Sequence, residues 1–193
     1  MNAQRHTIAN GLRIAGGAGC TLLLLWVAPR ITSPGHALLY LASWVTFLHL
    51  SIGVFIFVRH LHAYQKAQQV LDLIAAACLI GGLLSFARPT LWCSFFAALV
   101  AVAVLKYTLL YPTQTNPVLK KYVRAKILLE GPAAILLALA AAIFAFGDLP
   151  VWVRLGIQAV ILAGTTTFAV WMIFIRRSYH PFLPSAPTST TLE

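Results

Sequence analysis

Acidic residues are nearly missing from this chain: Asp72, Glu130, Asp148 and Glu193 stand against fourteen lysines and arginines. So few carboxylates leave little from which to build a metal-assisted hydrolytic or phosphoryl-transfer centre. No Walker loop, G-x-S-x-G, H-E-x-x-H or paired-carboxylate motif occurs. A soluble-style enzyme is therefore not expected. Cysteine is scarce as well: Cys20, Cys78 and Cys93 lie within apolar runs and show no C-x-x-C spacing. They read as small packing residues, and no disulfide framework or zinc site is implied.

Charge of either sign is rare. Charged residues make up 9% of the 193, whereas a soluble domain carries about a quarter. Hydrophobic residues make up 60%. A surface so poor in charge must mostly face hydrocarbon rather than water. The net charge of +10 does not point to nucleic acid, because the basic residues sit singly or in short groups at the ends of apolar runs. That placement suits anionic lipid headgroups.

Crossing about 30 Å of hydrocarbon takes roughly 20 mainly apolar residues in a helix. Six segments qualify as candidate spans, at about 14–30, 37–59, 70–87, 91–111, 126–146 and 152–175. Proline and glycine punctuate the connections, and the tight Arg88-Pro89 turn predicts that the third and fourth segments form a hairpin. The expected fold is all-α: a polytopic integral membrane protein, a six-transmembrane-helix bundle, with both termini cytoplasmic. Residues 1–178 form its single domain, and 179–193, rich in Pro, Ser and Thr, is expected to be a flexible cytoplasmic tail.

The orientation follows from the basic residues. With the amino terminus inside, Arg5, Arg13, Arg59, Lys66, Lys106, Lys120, Lys121, Arg124, Lys126, Arg176 and Arg177 fall on the inner side, eleven in all. Arg30, Arg88 and Arg154 fall outside. This asymmetry obeys the positive-inside bias and points to a bacterial-type inner membrane. The first segment, preceded by Arg5 and Arg13, resembles a secretory signal, but Pro29 follows Ala28 and no A-x-A site appears. It is read as an uncleaved span. Gly16, Gly17 and Gly19, Ala75 to Ala77, and Gly81 with Gly82 are expected to mark close helix contacts.

Ionisable groups inside the apolar runs each need an account. His49 lies about 18 Å along its helix from Ala37, near the expected midplane. Ala42, Thr46, His49 and Gly53 share a face that His60 continues, so His49 and Thr46 are expected to face the interior. His49 is open to four readings: a neutral histidine bonded to a neighbouring helix, a proton relay, a ligand or quinone contact, or an axial haem ligand. The last is disfavoured because no other histidine sits at matching depth. Lys106 is expected to snorkel toward the inner headgroups, with a buried pairing or substrate role as the alternative. Asp72 suits the first turn of its helix, where the dipole favours a carboxylate.

Glu130 is the sharpest candidate. "NPVLKK" predicts an Asn116 N-cap with Pro117 at the first helical position. The helix would expose Lys120, Lys121 and Arg124 while turning Leu119, Tyr122 and Val123 inward. It then meets Pro132, expected to kink it beside Glu130, which lies within pairing reach of Lys126. In the sixth segment, Gln158 and Thr165 share a face and suggest packing.

Three functions follow. A permease or small-ligand- or ion-binding component would gather His49, Lys106 and Glu130, with Thr46 and Asp72 nearby, around a cavity in the inner half. A non-catalytic accessory, assembly or immunity-type protein would keep a closed core with its polar residues paired locally. A membrane redox protein, using haem or quinone at His49, would show a visible absorption band if haem were bound. The cofactor is unknown at this level. The expected partners are the bilayer, its anionic headgroups and a membrane protein or second copy, not nucleic acid.

Overall fold

A computed structural model describes residues 16–57 and 66–172. Helix α1 covers 16–27, followed by α2 (Pro34–Phe57), α3 (Lys66–Leu84), α4 (Pro89–Leu110), α5 (Pro117–Phe146) and α6 (Val151–Val170). The described residues contain no strand. The protein is all-helical, which is the only regular structure besides a closed barrel that can satisfy its own backbone in lipid.

Three helical stretches among the described residues are long and apolar enough to cross a membrane: Pro89–Thr113, Pro117–Phe146 and Val151–Val170. The expected six are thus matched in part. α2 has the length, at 24 residues. The apolar part of α3, Val70–Leu84, is shorter. The expectations for Arg5, Arg13, Arg59, His60, Arg176, Arg177 and the 179–193 tail concern residues outside the described ones.

Local chemistry explains where the helices begin. The Ser33 carbonyl accepts the Ala37 amide at 3.1 Å and its hydroxyl accepts the His36 amide at 3.2 Å, starting α2. Pro89 opens α4 in a first-turn position where its missing amide would have had no helical partner. The Asn116 side-chain oxygen accepts from the amides of Val118 (2.9 Å) and Leu119 (3.3 Å), with Pro117 next in line. That is the cap the sequence predicts.

The α3–α4 hairpin also forms as expected. Its turn is closed by the Arg88 amide donating to the Ser85 carbonyl at 2.7 Å. Gly81 and Gly82 let the two helices approach: a Cβ on Gly81 would lie 2.6 Å from a Phe95 ring carbon, and one on Gly82 would strike Phe96. Gly16, Gly17 and Gly19 behave differently from expectation, with no described atom within 4 Å of where a Cβ would stand. A small residue permits close approach but does not compel it; a bulky partner opposite is needed, as Phe95 and Phe96 show.

The main core draws on four helices and one turn: Val27 of α1, Leu39 and Ala42 of α2, Phe86 of the α3–α4 turn, Trp92, Cys93, Phe96 and Leu99 of α4, and Ala140 and Ala141 of α5, with Ala75 and Leu79 of α3 and Ile157 and Ile161 of α6 against it. Trp92 donates its indole N–H to the Ser43 hydroxyl at 2.9 Å, tying α4 to α2. A second cluster, of Leu110, Leu119, Tyr122, Val123 and Met172, joins the ends of α4 and α6 to the start of α5. Outside these cores the surface stays apolar: Leu128, Ile135, Leu136, Leu139, Phe146, Trp152 and Val160 are all exposed. Contiguous apolar surface of this extent suits a hydrocarbon solvent and would aggregate in water.

Helix α5 continues without interruption through Pro132. The helix therefore does not end at the expected kink beside Glu130. Pro132 withholds one amide from the Leu128 carbonyl, and the hydrogen bonds of the flanking turns hold the helix across that gap.

Candidate functional site

Leu119, Tyr122, Val123, Lys126 and Glu130 recur at three- and four-residue intervals on α5, and all are buried. The three apolar members are the ones expected to turn inward. Continuing their stripe by one and two turns brings two charged side chains into the interior.

There Lys126 is the hub. Its ammonium donates to Glu130 Oε1 at 2.7 Å and to His49 Nε2, on α2, at 2.8 Å. The expected Lys126–Glu130 pair is present, and His49 bonds a neighbouring helix as one of its four readings anticipates. Both charged side chains are nearly closed off, 3% and 11% exposed. Aromatic rings surround the ammonium, with Phe168 of α6 at 5.5 Å and Tyr107 of α4 and Tyr122 each at 6.0 Å. Those distances fall within the range of cation–π attraction. The Phe168 ring also lies edge-on to the imidazole, centroids 5.1 Å apart.

The hydrogen-bond roles follow from the donor inventory. A lysine ammonium has protons to give and no lone pair to offer, so His49 Nε2 must accept. The imidazole is then neutral with its proton on Nδ1. His49 Nδ1 is buried and has no hydrogen-bond partner among the described residues. An unsatisfied buried donor costs about 1–3 kcal/mol, so its retention calls for an explanation.

The remaining candidates are placed elsewhere. Lys106 pairs with Asp72 across the α4–α3 contact instead of snorkelling, and Asp72 sits in the second turn of α3, not the first. In a low-dielectric surrounding, a carboxylate one helix away competes well with distant headgroups. That ion pair is separate from the His49 cluster, although Tyr107, next to Lys106 in α4, faces Lys126. Thr46 donates its hydroxyl to the Ala42 carbonyl at 2.8 Å, and Thr165 does the same to Ile161 at 3.0 Å. These hydroxyls satisfy their own helices. Gln158 packs over Gly35, whose missing Cβ makes room for the amide and brings α6 against the start of α2.

Sequence reasoning missed Lys126 as the link between His49 and Glu130, and missed Phe168 altogether. The α5 stripe carries the signal for Lys126; for Phe168, one apolar residue among many, the sequence carries none. Among the described residues, no group of three or more His, Cys, Asp or Glu could hold a metal ion. Axial haem ligation fits poorly, because Lys126 already occupies the imidazole nitrogen that would bind iron.

A shallow, open groove runs along α6 beside the cluster, with Leu129 of α5 at its edge. It has a volume of about 510 Å³ and is lined by Leu129, Val160, Ala163, Gly164, Thr167, Phe168 and Trp171. Phe168 belongs to both features, lining the groove and packing its ring against the imidazole. The expected convergence on an enclosed cavity is therefore replaced by a closed polar cluster with an open apolar groove alongside. Compared with family models, curated proteins and solved structures, the chain shows no significant match to any.

Proposed function

We propose that this chain is a six-span membrane protein with both termini in the cytoplasm of a bacterial-type cell, acting as a permease or as a small-ligand- or ion-binding component. Its site is the His49–Lys126–Glu130 cluster in the inner half of the bundle. The observation that carries this reading is the His49 Nδ1–H, a buried donor that lacks an acceptor and is held in place by a buried ion pair. Positioned polar groups that do not satisfy one another fully are what a binding site offers its ligand. The basic residues of the α4–α5 connection support the orientation, with Lys120, Lys121 and Arg124 exposed where anionic headgroups would meet them.

One finding favours an accessory or assembly role instead. Lys106 pairs with Asp72 and Lys126 with Glu130, so both intramembrane lysines are neutralised within the chain, as a closed structural core would require. Mass spectrometry of gently purified protein separates the two readings. A bound species should accompany the wild type and be lost from His49→Ala, with folded yield retained. Absence of any bound species from the wild type, or its equal retention by His49→Ala, would favour the accessory role.

A further inference from the structure

The charge balance of the cluster and the character of its neighbouring groove narrow the class of ligand. Leu129, Val160 and Gly164 present hydrocarbon to anything lying in the groove, and Phe168 and Trp171 present aromatic rings. Val160 in its lining is exposed, so a molecule dissolved in the bilayer reaches it sideways without crossing water. Its volume falls within the range of about 300–1,000 Å³ usual for small-molecule sites. Behind Phe168 stands His49, 6% exposed, with its Nδ1–H unmatched.

The ion pair decides the charge of the ligand. Lys126 and Glu130 already neutralise each other, so a charged headgroup drawn in beside them would stand uncompensated in a low-dielectric interior. A neutral group with a carbonyl oxygen avoids that penalty and supplies the acceptor that the imidazole lacks. A planar ring would in addition pack on the aromatic walls.

We propose that the groove along α6 and His49 together form a binding site for a neutral, lipid-soluble carbonyl compound of the quinone class. Its carbonyl accepts the His49 Nδ1–H once the Phe168 ring turns aside. The proposal rests on the ligand-binding reading above and concerns binding alone, with no electron transfer.

The test uses the purified full chain in a neutral detergent, titrated with decylubiquinone. Quinone retained after gel filtration is measured by its ultraviolet absorbance against empty micelles. Saturation near one quinone per chain is expected. Gly164→Phe should reduce retention to the micelle background, because no atom lies within 4 Å of a Cβ at that position and the new ring is free to fill the groove. His49→Phe keeps the bulk but removes the donor and should weaken binding about tenfold, the worth of one buried hydrogen bond. An unchanged gel-filtration profile verifies the fold of each variant.

Non-saturating retention overturns the proposal, as does retention unchanged in both variants. Palmitate competing as strongly as a second quinone would overturn the neutral headgroup. If decylubiquinone fails while the mass-spectrometric survey finds another His49-dependent species, the quinone class is wrong and the ligand-binding reading stands. If neither experiment finds a ligand, both fall.

Discussion

Removing one member of the Lys126–Glu130 pair should be far more damaging than removing both. At 2.7 Å and an effective dielectric of 20, the gross attraction is about 6 kcal/mol. Desolvation of two nearly buried groups cancels much of it, so the net worth of the pair is small. Glu130→Gln, however, keeps the ammonium buried and takes away its counter-charge, which should cost about 3–5 kcal/mol. Lys126→Met strands the carboxylate and should cost a similar amount. The double variant Lys126→Met/Glu130→Leu strands neither charge and leaves His49 Nε2 without its donor. It should lie about 1–3 kcal/mol below wild type, the penalty for one unmet buried polar atom. Adding His49→Leu removes that atom as well and should bring stability back toward wild type. Asp72→Asn provides a comparison: its pair is less enclosed, at 16% and 37% exposed, and should cost less than either single loss in the buried pair. Reversible unfolding in mixed micelles, followed by tryptophan fluorescence, measures all five. Additive losses, with the double variant as unstable as the two singles summed, would refute the reasoning. So would a Glu130→Gln loss no larger than that of Asp72→Asn.

Two further outcomes test the packing and the topology. Gly82→Val should cost about 1–3 kcal/mol by forcing α3 away from Phe96, whereas Gly131→Ala, with nothing within 4 Å, should be neutral or slightly stabilising in the same unfolding assay. In a background lacking Cys20, Cys78 and Cys93, a thiol at Gln114→Cys should react with an impermeant maleimide only from the cytoplasmic side and one at Asp148→Cys only from the other; labelling of both from one side would rule out α5 as a span.

Much of the local structure was readable because it depends on neighbours in sequence. The Asn116 cap, the inward Leu119, Tyr122 and Val123, the α3–α4 hairpin and the Lys126–Glu130 pair all involve residues a few positions apart, where helical geometry leaves little choice. Expectations failed where the answer depended on another helix. Lys106 was expected to reach for headgroups because its partner, Asp72, is 34 residues away in sequence. Gly16, Gly17 and Gly19 looked like contact residues because the sequence cannot say what stands opposite them.

The sequence by itself determined that the chain is helical, that its surface suits hydrocarbon, and that His49 and Glu130 are out of place there. Those conclusions rest on composition and on period, which a chain carries whether folded or not. Tertiary structure decided which polar groups meet. It joined His49 to Glu130 through Lys126, 77 residues from the histidine, and sent Lys106 to α3 instead. It also made Phe168 common to that cluster and an apolar groove. Polar groups in a low-dielectric interior must find partners, and only the packing of the helices brings particular partners within reach.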